Sequence, residues 1–148
     1  MDIRLIKENE LEKLLALYTH LHENDLPLPK AIEVKQTWTK IIENDCLSIF
    51  GLFIDDNLLS SCYLSVIPNL TRSCSPFAVV ENVVTHTAHR NRGYGKAILR
   101  HTLDTAWQKG CYKVMLLTGR NSDRIFKFYE SVGFNRDAKQ AFVIKRGI

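Results

Sequence analysis

The residues best suited by type and spacing to do chemistry lie in one glycine-containing stretch, Arg90-Asn91-Arg92-Gly93-Tyr94-Gly95-Lys96-Ala97. An apolar, β-branched run over 77–84 precedes it and an amphipathic run from Ala97 follows, so the pattern predicts a strand, a glycine loop and a helix. Glycines let the backbone turn tightly and approach a ligand, and the first N–H groups of a helix have no acceptor inside it. Together with the helix dipole and the nearby cations, these N–H groups predict a pyrophosphate site.

Two other phosphate-binding patterns do not fit this loop. The Walker A pattern requires a glycine five residues before the Gly-Lys pair and a Ser or Thr after it, where this chain has Arg90 and Ala97. The dinucleotide fingerprint requires a third glycine where this chain has Ile98, in a unit that comes early in the domain. The simplest alternative is a glycine turn between a strand and a basic helix, with no ligand.

The spacing R-x-x-G-x-G resembles the pyrophosphate loop of the GNAT superfamily of acyl-CoA-dependent N-acetyltransferases. A second motif, Phe128-Tyr129-Glu130-Ser131-Val132-Gly133-Phe134, is similar to the F-Y-x-x-x-G-F core of the family signature. The family often has an asparagine six residues before this core, where the chain has Ser122, and Asn121 stands one residue earlier. The stretches 110–116 and 81–84 are similar to the glucosamine 6-phosphate N-acetyltransferase branch.

The resemblance implies acetyl-CoA as cosubstrate, and no metal. It implies that backbone amides from Arg92 to Ala97 hold the pyrophosphate and that the backbone of 83–85, beside a splay or bulge, pairs with the pantetheine arm. A bulge near Val83 would also turn an N–H toward the thioester carbonyl. The expected cofactor-binding residues are Val83, Val84, Thr85, Arg90, Asn91, Arg92, Gly93, Tyr94, Gly95, Lys96, Ala97, Asn121 and Ser122.

Two residues are candidates for proton transfer. Tyr129 is the candidate general acid, because a phenol of pKa about 10 can protonate a thiolate whose thiol has a pKa of about 8.5. Its alternative role is a core aromatic residue beside Phe126 and Phe128. Glu81 is the candidate base, as the one carboxylate in an apolar strand, where burial would raise its pKa. Its alternatives are a structural ion pair or an outward-facing position.

The acceptor is expected to be a primary amine of a small molecule or peptide. The family fold places it between the loops 20–29 and 70–76, because these flank the centre. The polar candidates are His20, His22, Glu23, Asp25 and Arg72. His86 and His89, beside the glycine loop, are expected to be solvated or structural.

The spacing of the hydrophobic residues and the positions of turn and cap residues predict a mixed α/β fold in the order β-α-α-β-β-β-α-β-α-β. It is the order of the GNAT fold, whose central sheet is mixed, mostly antiparallel and flanked by helices. Asn9 is expected to cap the first helix, Gly110 to end the central helix and Ser122 or Asn121 to cap the next one. A second helix is expected over 30–44, and a last strand over 141–145.

Length and composition favour one domain over 1–148, with 45% hydrophobic residues and no apolar run long enough for a membrane span. The start of the sequence lacks a secretory apolar core, so a cytoplasmic location is expected. The four cysteines are scattered and predict neither zinc nor a disulfide framework.

Charge is divided unevenly along the chain. Residues 1–80 carry 7 Lys and Arg against 11 Asp and Glu, a balance of −4, and residues 81–148 carry 13 against 5, a balance of +8. This division favours a polyphosphate on the second half and a cationic amine near the first. Nucleic acid binding is disfavoured because the cations do not lie on one helix.

Taken together, the two motifs and the resemblance predict an N-acetyltransferase, with a non-catalytic acyl-CoA-binding module as the alternative. A homodimer is a further expectation.

Overall fold

The computed structural model describes residues 1–22 and 24–147. They form two compact units, Met1–Leu116 and Leu117–Ile148. The prediction of one domain over the whole chain stays a prediction. In chain order the elements are β1 Asp2–Leu5, α1 Leu11–Tyr18, α2 Ala31–Ile42, β2 Leu47–Ile54, β3 Asn57–Ile67, α3 Thr71–Cys74, β4 Phe77–Thr85, α4 Tyr94–Gln108, β5 Val114–Leu116 and α5 Asp123–Glu130.

The first unit is built on a five-stranded mixed sheet with the strand order β1-β2-β3-β4-β5. The first four strands pair antiparallel, and β5 pairs parallel with β4 after the helical crossover through α4. A tight turn joins β2 and β3, where Asp55 and Asp56 both have positive φ (48° and 63°). A two-residue turn in which both residues have positive φ matches the right-handed twist of the two strands of a hairpin. The mixed, mostly antiparallel sheet and its flanking helices are therefore confirmed.

Helices cover both faces of this sheet. Leu14, Leu17 and Trp38 from α1 and α2 join Val84 of β4 in one buried cluster. On the other face, α4 packs against β3 and β4 and buries four side chains completely. These side chains are Ile98, Leu99, Thr102 and Ala106. The sheet is thus the middle layer of a three-layer unit, as expected when a sheet has two apolar faces.

The helix ends differ from the sequence predictions in three places. Asn9 does not cap α1, because it lies inside a 3-10 turn at Glu8–Glu10 and Glu10 is the N-cap. Helix α2 is shorter than expected, Ala31–Ile42. Helix α4 begins at Tyr94, three residues before the expected start, so Gly95 belongs to its first turn.

The glycine at the end of the central helix behaves as predicted. Gly110 follows the C-cap of α4 with a φ of +78°, a left-handed conformation that glycine adopts without a Cβ penalty.

The strand expected over 141–145 is wrong, because residues 141–147 form no helix or strand. Phe142 and Ile144 in that segment are 91% and 98% exposed. A strand requires a neighbour that completes its hydrogen bonds, which an alternating pattern does not supply.

A partly buried ion pair joins β1 to the chain before α1. The Arg4 guanidinium donates to both carboxylate oxygens of Glu10, each at 2.8 Å, and the Lys7 N–H donates to Glu10 Oε2 at 2.8 Å. The carboxylate side chain is only 8% exposed. Hydrogen bonds from Arg4 lower the pKa of Glu10 to about 2, against the opposing effect of burial. The bidentate geometry holds the two elements together.

The Glu10→Gln variant tests this ion pair. The pKa of Glu10 is depressed in the folded state, so the ion pair stabilises the protein fully above about pH 4.5 and loses this effect as pH falls toward 2. We expect the substitution to lower the free energy of unfolding at pH 7 by about 2 kcal/mol and to flatten its decline in acid. Urea titrations between pH 7 and pH 2.5 measure both effects. The exposed Glu12→Gln is the matched control, and equal losses in the two variants would contradict the assignment.

Candidate active site

The predicted cofactor loop leads from the end of β4 to an open helix N-terminus. A 3-10 turn at Thr87–His89 follows β4, and Gly93 is the N-cap of α4 with a φ of +83° and no side-chain cap. Asn91 also has positive φ, 63°. The amides of Tyr94 and the two residues after it therefore open the helix without intrahelical acceptors. This arrangement fits an anion such as a pyrophosphate.

The three cations of the loop differ in their surroundings. Arg92 is exposed and Lys96 is half-buried in the first turn of α4. Arg90 instead donates from Nε to the Thr85 carbonyl (3.2 Å) and from Nη2 to the His20 carbonyl (3.0 Å). Its guanidinium therefore ties the loop to the end of β4 and to the chain after α1. Arg90 serves the loop by holding its conformation, in addition to adding positive charge.

Three histidines pack together beside this loop. The His20 and His86 ring centroids are 4.0 Å apart, and those of His86 and His89 are 5.2 Å apart. The Thr87 hydroxyl lies 3.1 Å from His20 Nδ1. Burial lowers the pKa of His20, and His86 and Arg90 lower it further. The contacts are those of a structural cluster, as expected for His86 and His89.

Strand β4 carries a bulge at the predicted place. Ser61 pairs with Val84 and Tyr63 pairs with Glu81, so β4 has two residues, 82 and 83, opposite one residue of β3. Asn82 has a φ of +49°, in the left-handed region. The bulge expected near Val83 is confirmed. An extra residue of this kind bends the strand and re-aims its backbone groups.

From Glu81 onward, β4 extends past β5. The pairing of β4 with β5 covers Ala78–Val80, and β4 continues to Thr85. The backbone groups on this edge of residues 81–85 therefore have no ladder partner from β5. Val84 is 3% exposed, because its side chain belongs to the core. The pairing of β4 with β5 thus ends before 83–85, and the pantetheine contacts of these residues stay a prediction.

Glu81 is placed differently from the expectation. It lies in β4 opposite Tyr63, yet its side chain is exposed rather than buried. A carboxylate that reaches water avoids the cost of desolvation. The expected burial is wrong, and the outward-facing position given as an alternative is the one observed. The role of Glu81 as a base stays a prediction.

Three polar residues that the sequence analysis missed meet at the bulge. The Tyr18 hydroxyl, from the end of α1, lies near the side chains of Ser61 and Asn82. Burial raises the pKa of Tyr18 to about 12, and the two neighbouring side chains oppose that rise only partly. A signal for Asn82 was present, because asparagine is rare in strands and common at positive φ. No local pattern in the sequence predicted that Tyr18 lies near Asn82.

The second unit holds the other predicted residues. Ser122 caps α5 by accepting from the Ile125 N–H at 3.4 Å, and Asn121 is exposed just before it. Tyr129 is half-buried, with its ring centroid 5.1 Å from that of Phe128 and 6.1 Å from that of Phe134. These ring contacts agree with a packed aromatic residue. They leave the general-acid role as a prediction.

The acceptor candidates lie in two loops. His22 and Asp25 are exposed, and Glu23 lies outside the described residues. Arg72 lies in α3 with a φ of +55°, and its guanidinium is 5.8 Å from the centroid of the Tyr112 ring. None of these contacts assigns an acceptor site.

The described residues provide neither a metal-binding group nor a membrane-spanning helix. No group of three or more His, Cys, Asp or Glu within 1–22 and 24–147 is placed to hold a metal ion. Across the same ranges, every helix is too short or too polar to span a bilayer.

Comparison with known proteins agrees with this geometry. The sequence model of the Acetyltransferase (GNAT) family matches residues 10–134. A solved protein of Agrobacterium tumefaciens str. C58, whose assignment as an acetyltransferase is provisional, is 38% identical with a TM-score of 0.92, covering 99% of this chain and 100% of the other.

Two further relatives carry the name glucosamine 6-phosphate N-acetyltransferase. The protein of Trypanosoma brucei brucei is 26% identical over 144 residues, which are 95% of this chain and 92% of the relative. The solved Arabidopsis thaliana protein is 20% identical with a TM-score of 0.82 and 97% coverage of both chains, a likeness that shows the fold.

The chain belongs to the GNAT family of acetyltransferases. It is an acetyl-CoA-dependent N-acetyltransferase, and the open N-terminus of α4 beside the free edge of β4 fits that cosubstrate.

The Gly93→Ala variant tests the cofactor loop. An added Cβ meets no atom within 4 Å, so the substitution introduces no clash, but the φ of +83° disfavours any side chain. We expect a backbone cost of about 1 kcal/mol and a rise of about fivefold or more in the Kd for acetyl-CoA, because the loop shifts away from its open-amide geometry. Isothermal titration calorimetry measures the Kd. Gly119→Ala, which also meets no atom within 4 Å, is the control; equal Kd changes in both variants would refute the loop as the cofactor site.

Proposed function

We propose that this protein transfers the acetyl group of acetyl-CoA to a primary amine of a small molecule by direct attack on the thioester. The observation that carries the proposal is the continuous path along β4, from the bulge at Asn82, past the free edge over 83–85, to the open amides at the start of α4. Such a path suits a ligand with an acyl end, an amide-containing arm and a pyrophosphate. The match of the family model over 10–134 supports treating the chain as one catalytic domain.

The residues of the chain have distinct tasks in this reaction. The backbone of 83–85 pairs with the pantetheine arm, and the amides of 92–97 hold the pyrophosphate with help from Arg92 and Lys96. A backbone N–H at the bulge donates to the thioester oxygen as negative charge develops on it. Asn121 and Ser122 are the remaining proposed cofactor contacts, and Ser122 also caps α5.

The proton transfers balance through two side chains. The amine nitrogen attacks the carbonyl carbon, a C–N bond forms, the C–S bond breaks, and the electron pair leaves on sulfur. Tyr129 donates a proton to that thiolate. Glu81, directly or through water, accepts the proton that the amine loses. Its exposure is compatible with transfer to solvent.

An amino sugar phosphate is the acceptor class that the relatives favour. The Trypanosoma brucei brucei protein, similar over 95% of this chain, is named for glucosamine 6-phosphate. The +8 balance of residues 81–148 would favour a phosphorylated acceptor. A peptide amine is the alternative acceptor class. The homodimer and the cytoplasmic location stay predictions.

The release of free CoA thiol across an amine panel tests the function. The panel contains glucosamine 6-phosphate, glucosamine, polyamines, amino acids, aminoglycosides and lysine peptides. We expect release that depends on the amine and is fastest with glucosamine 6-phosphate. If no amine promotes release while acetyl-CoA still raises the melting temperature, the alternative of a non-catalytic acyl-CoA-binding module is favoured.

The two proton-transfer roles predict different kinetic effects. Tyr129→Phe should lower kcat by about 100-fold, with the Kd for acetyl-CoA nearly unchanged, because it removes a proton donor and leaves the ring.

Glu81→Gln should lower kcat and abolish the acidic limb of the rate-pH profile. The controls are Tyr112→Phe and Glu43→Gln, which remove the same groups elsewhere. An unchanged kcat in Tyr129→Phe, or a parental pH profile in Glu81→Gln, would remove that residue from the mechanism.

A further inference from the structure

Two histidine rings pack against each other where β4 leads into the cofactor loop, and the reaction described so far uses neither. They are His20, just after α1, and His86, just after β4, with ring centroids 4.0 Å apart. We refer to these two residues as the histidine pair. Both residues are half-buried. The pair therefore joins two segments of the chain that are distant in the sequence.

His86 caps the turn that enters the cofactor loop. It is the N-cap residue of the 3-10 turn at Thr87–His89, and its Nδ1 accepts from the Ala88 N–H at 3.2 Å. A ring nitrogen that accepts an N–H carries no proton, so the proton of the neutral ring lies on Nε2. Protonation of Nδ1 would place two donors against each other, and the Ala88 N–H would lose its acceptor. The cap therefore exists only while His86 is neutral.

His20 holds the same turn from the side of α1. The Thr87 hydroxyl lies 3.1 Å from its Nδ1, and the Arg90 guanidinium donates to its backbone carbonyl at 3.0 Å. Arg90 follows the turn directly and precedes the left-handed Asn91 and the open N-terminus of α4. The histidine pair thus contacts the segment 86–90 along its length, and the chain continues from there into the amides of the cofactor loop.

A positive charge on His20 is unfavourable where this ring lies. The titratable or charged groups that face it are His86 and Arg90, and neither ring of the pair makes an ion pair with a carboxylate of the described residues. His89 packs against His86 with ring centroids 5.2 Å apart, so it adds a third titratable ring and no anion. Burial lowers the pKa of His20 below its ordinary value of 6.5, and His86 and Arg90 lower it further. The arrangement therefore favours the neutral ring.

We propose that the histidine pair positions the cofactor loop, and that it does so only while both rings are neutral, so that the protein binds acetyl-CoA less tightly in acid. The inference rests on the proposed cofactor site at the start of α4. A protonated pair would repel Arg90 and release the Ala88 N–H, and the turn before the loop would loosen. The fold thus links cofactor affinity to pH through two rings that take no part in the proton transfers.

The pH dependence of acetyl-CoA binding, measured by calorimetric titration, tests the proposal. Because the pKa of His20 is lowered, the pair acts fully above about pH 6.5, and its effect is lost as pH falls through the lowered value. We expect the Kd of the parent protein to rise by about fivefold or more between pH 7.5 and pH 5, since one pKa unit corresponds to about tenfold. The double variant His20→Asn/His86→Asn, which lacks both titrating rings, should show a smaller rise. Protonation of the ligand phosphates contributes to both proteins, so the difference between the two profiles is the contribution of the pair.

Two outcomes of this titration would overturn the proposal. One is a double variant whose profile equals that of the parent. The other is tighter binding by the parent in acid, which positive charge beside a pyrophosphate would produce if the turn kept its shape. His101→Asn is the matched control, because it removes a histidine of α4 that packs against Phe50, outside the pair. This variant should keep the parental profile.

Two variants at position 86 separate the cap from a general loss of the ring. His86→Ala removes the acceptor of the Ala88 N–H, so we expect the Kd at pH 7.5 to rise by about fivefold while kcat at saturating acetyl-CoA stays within about twofold. His86→Asn supplies a side-chain oxygen at an N-cap, where asparagine is favoured, and should bind acetyl-CoA within about twofold of the parent. An equal rise of the Kd in both variants would overturn the role of the cap.

Amide hydrogen exchange in the protein without acetyl-CoA provides a readout that does not depend on the cofactor site. After correction for the intrinsic rate at each pH, the Ala88 amide should exchange faster at pH 5 than at pH 7.5, and faster in His86→Ala than in His86→Asn. If Gly93→Ala and Gly119→Ala change the Kd equally, the proposed cofactor site fails and the link to the cofactor fails with it. The exchange rates then still decide whether the pair holds the turn. An Ala88 amide whose exchange is unchanged by pH and by His86→Ala would overturn that role.

Discussion

The structure depends on one extra residue in β4. A strand places successive side chains on opposite faces, so an inserted residue reverses the phase of everything after it. Val80 pairs with Leu64, which shares a face with Cys62 and therefore with Thr102 of α4. Val84, four residues later, lies instead with Leu14 and Leu17 of α1. In a regular strand Val80 and Val84 would share a face, and the bulge places them on opposite faces, where the pairing with β5 has ended.

The same insertion links stability to chemistry. Backbone groups at a bulge do not join the regular ladder and can face a ligand. In an acyltransferase, such an N–H can donate to the oxygen of the thioester. The cost falls on the neighbouring polar side chains, since Tyr18 and Ser61 are buried without good partners. A natural sequence keeps such a cost where activity needs it, and the rest of the unit offsets it through apolar packing on both sheet faces.

The cofactor loop is held by contacts to elements on either side of it. Arg90 joins the Thr85 carbonyl at the end of β4 to the His20 carbonyl after α1. The three packed histidines lie along the same junction. The chain that leaves α1 toward the expected acceptor loop is therefore fixed to the chain that enters the cofactor loop. Tyr18 at the end of α1 lies near the bulge, and His20, just after α1, contacts the loop.

Local signals in the sequence determined several parts of this protein. The glycine loop, the helix end at Gly110, the cap at Ser122 and the β2–β3 hairpin were all predictable. Each of these features depends on residues within a few positions of one another. The two motifs also identified the family, because together they specify a glycine loop at the start of one helix and the end of another helix.

Tertiary structure alone decided the remaining features. An asparagine in a strand favours positive φ, but the sequence pattern of β4 did not place the bulge at residue 82, since register depends on the partner strand. It placed Glu81 in the interior, whereas the sheet leaves that side chain in water. It predicted a strand over 141–145, which needs a neighbour that no local pattern provides. The meeting of Tyr18 with Asn82 is of the same kind, because contacts between distant segments are set by packing and register and leave no mark on either segment alone.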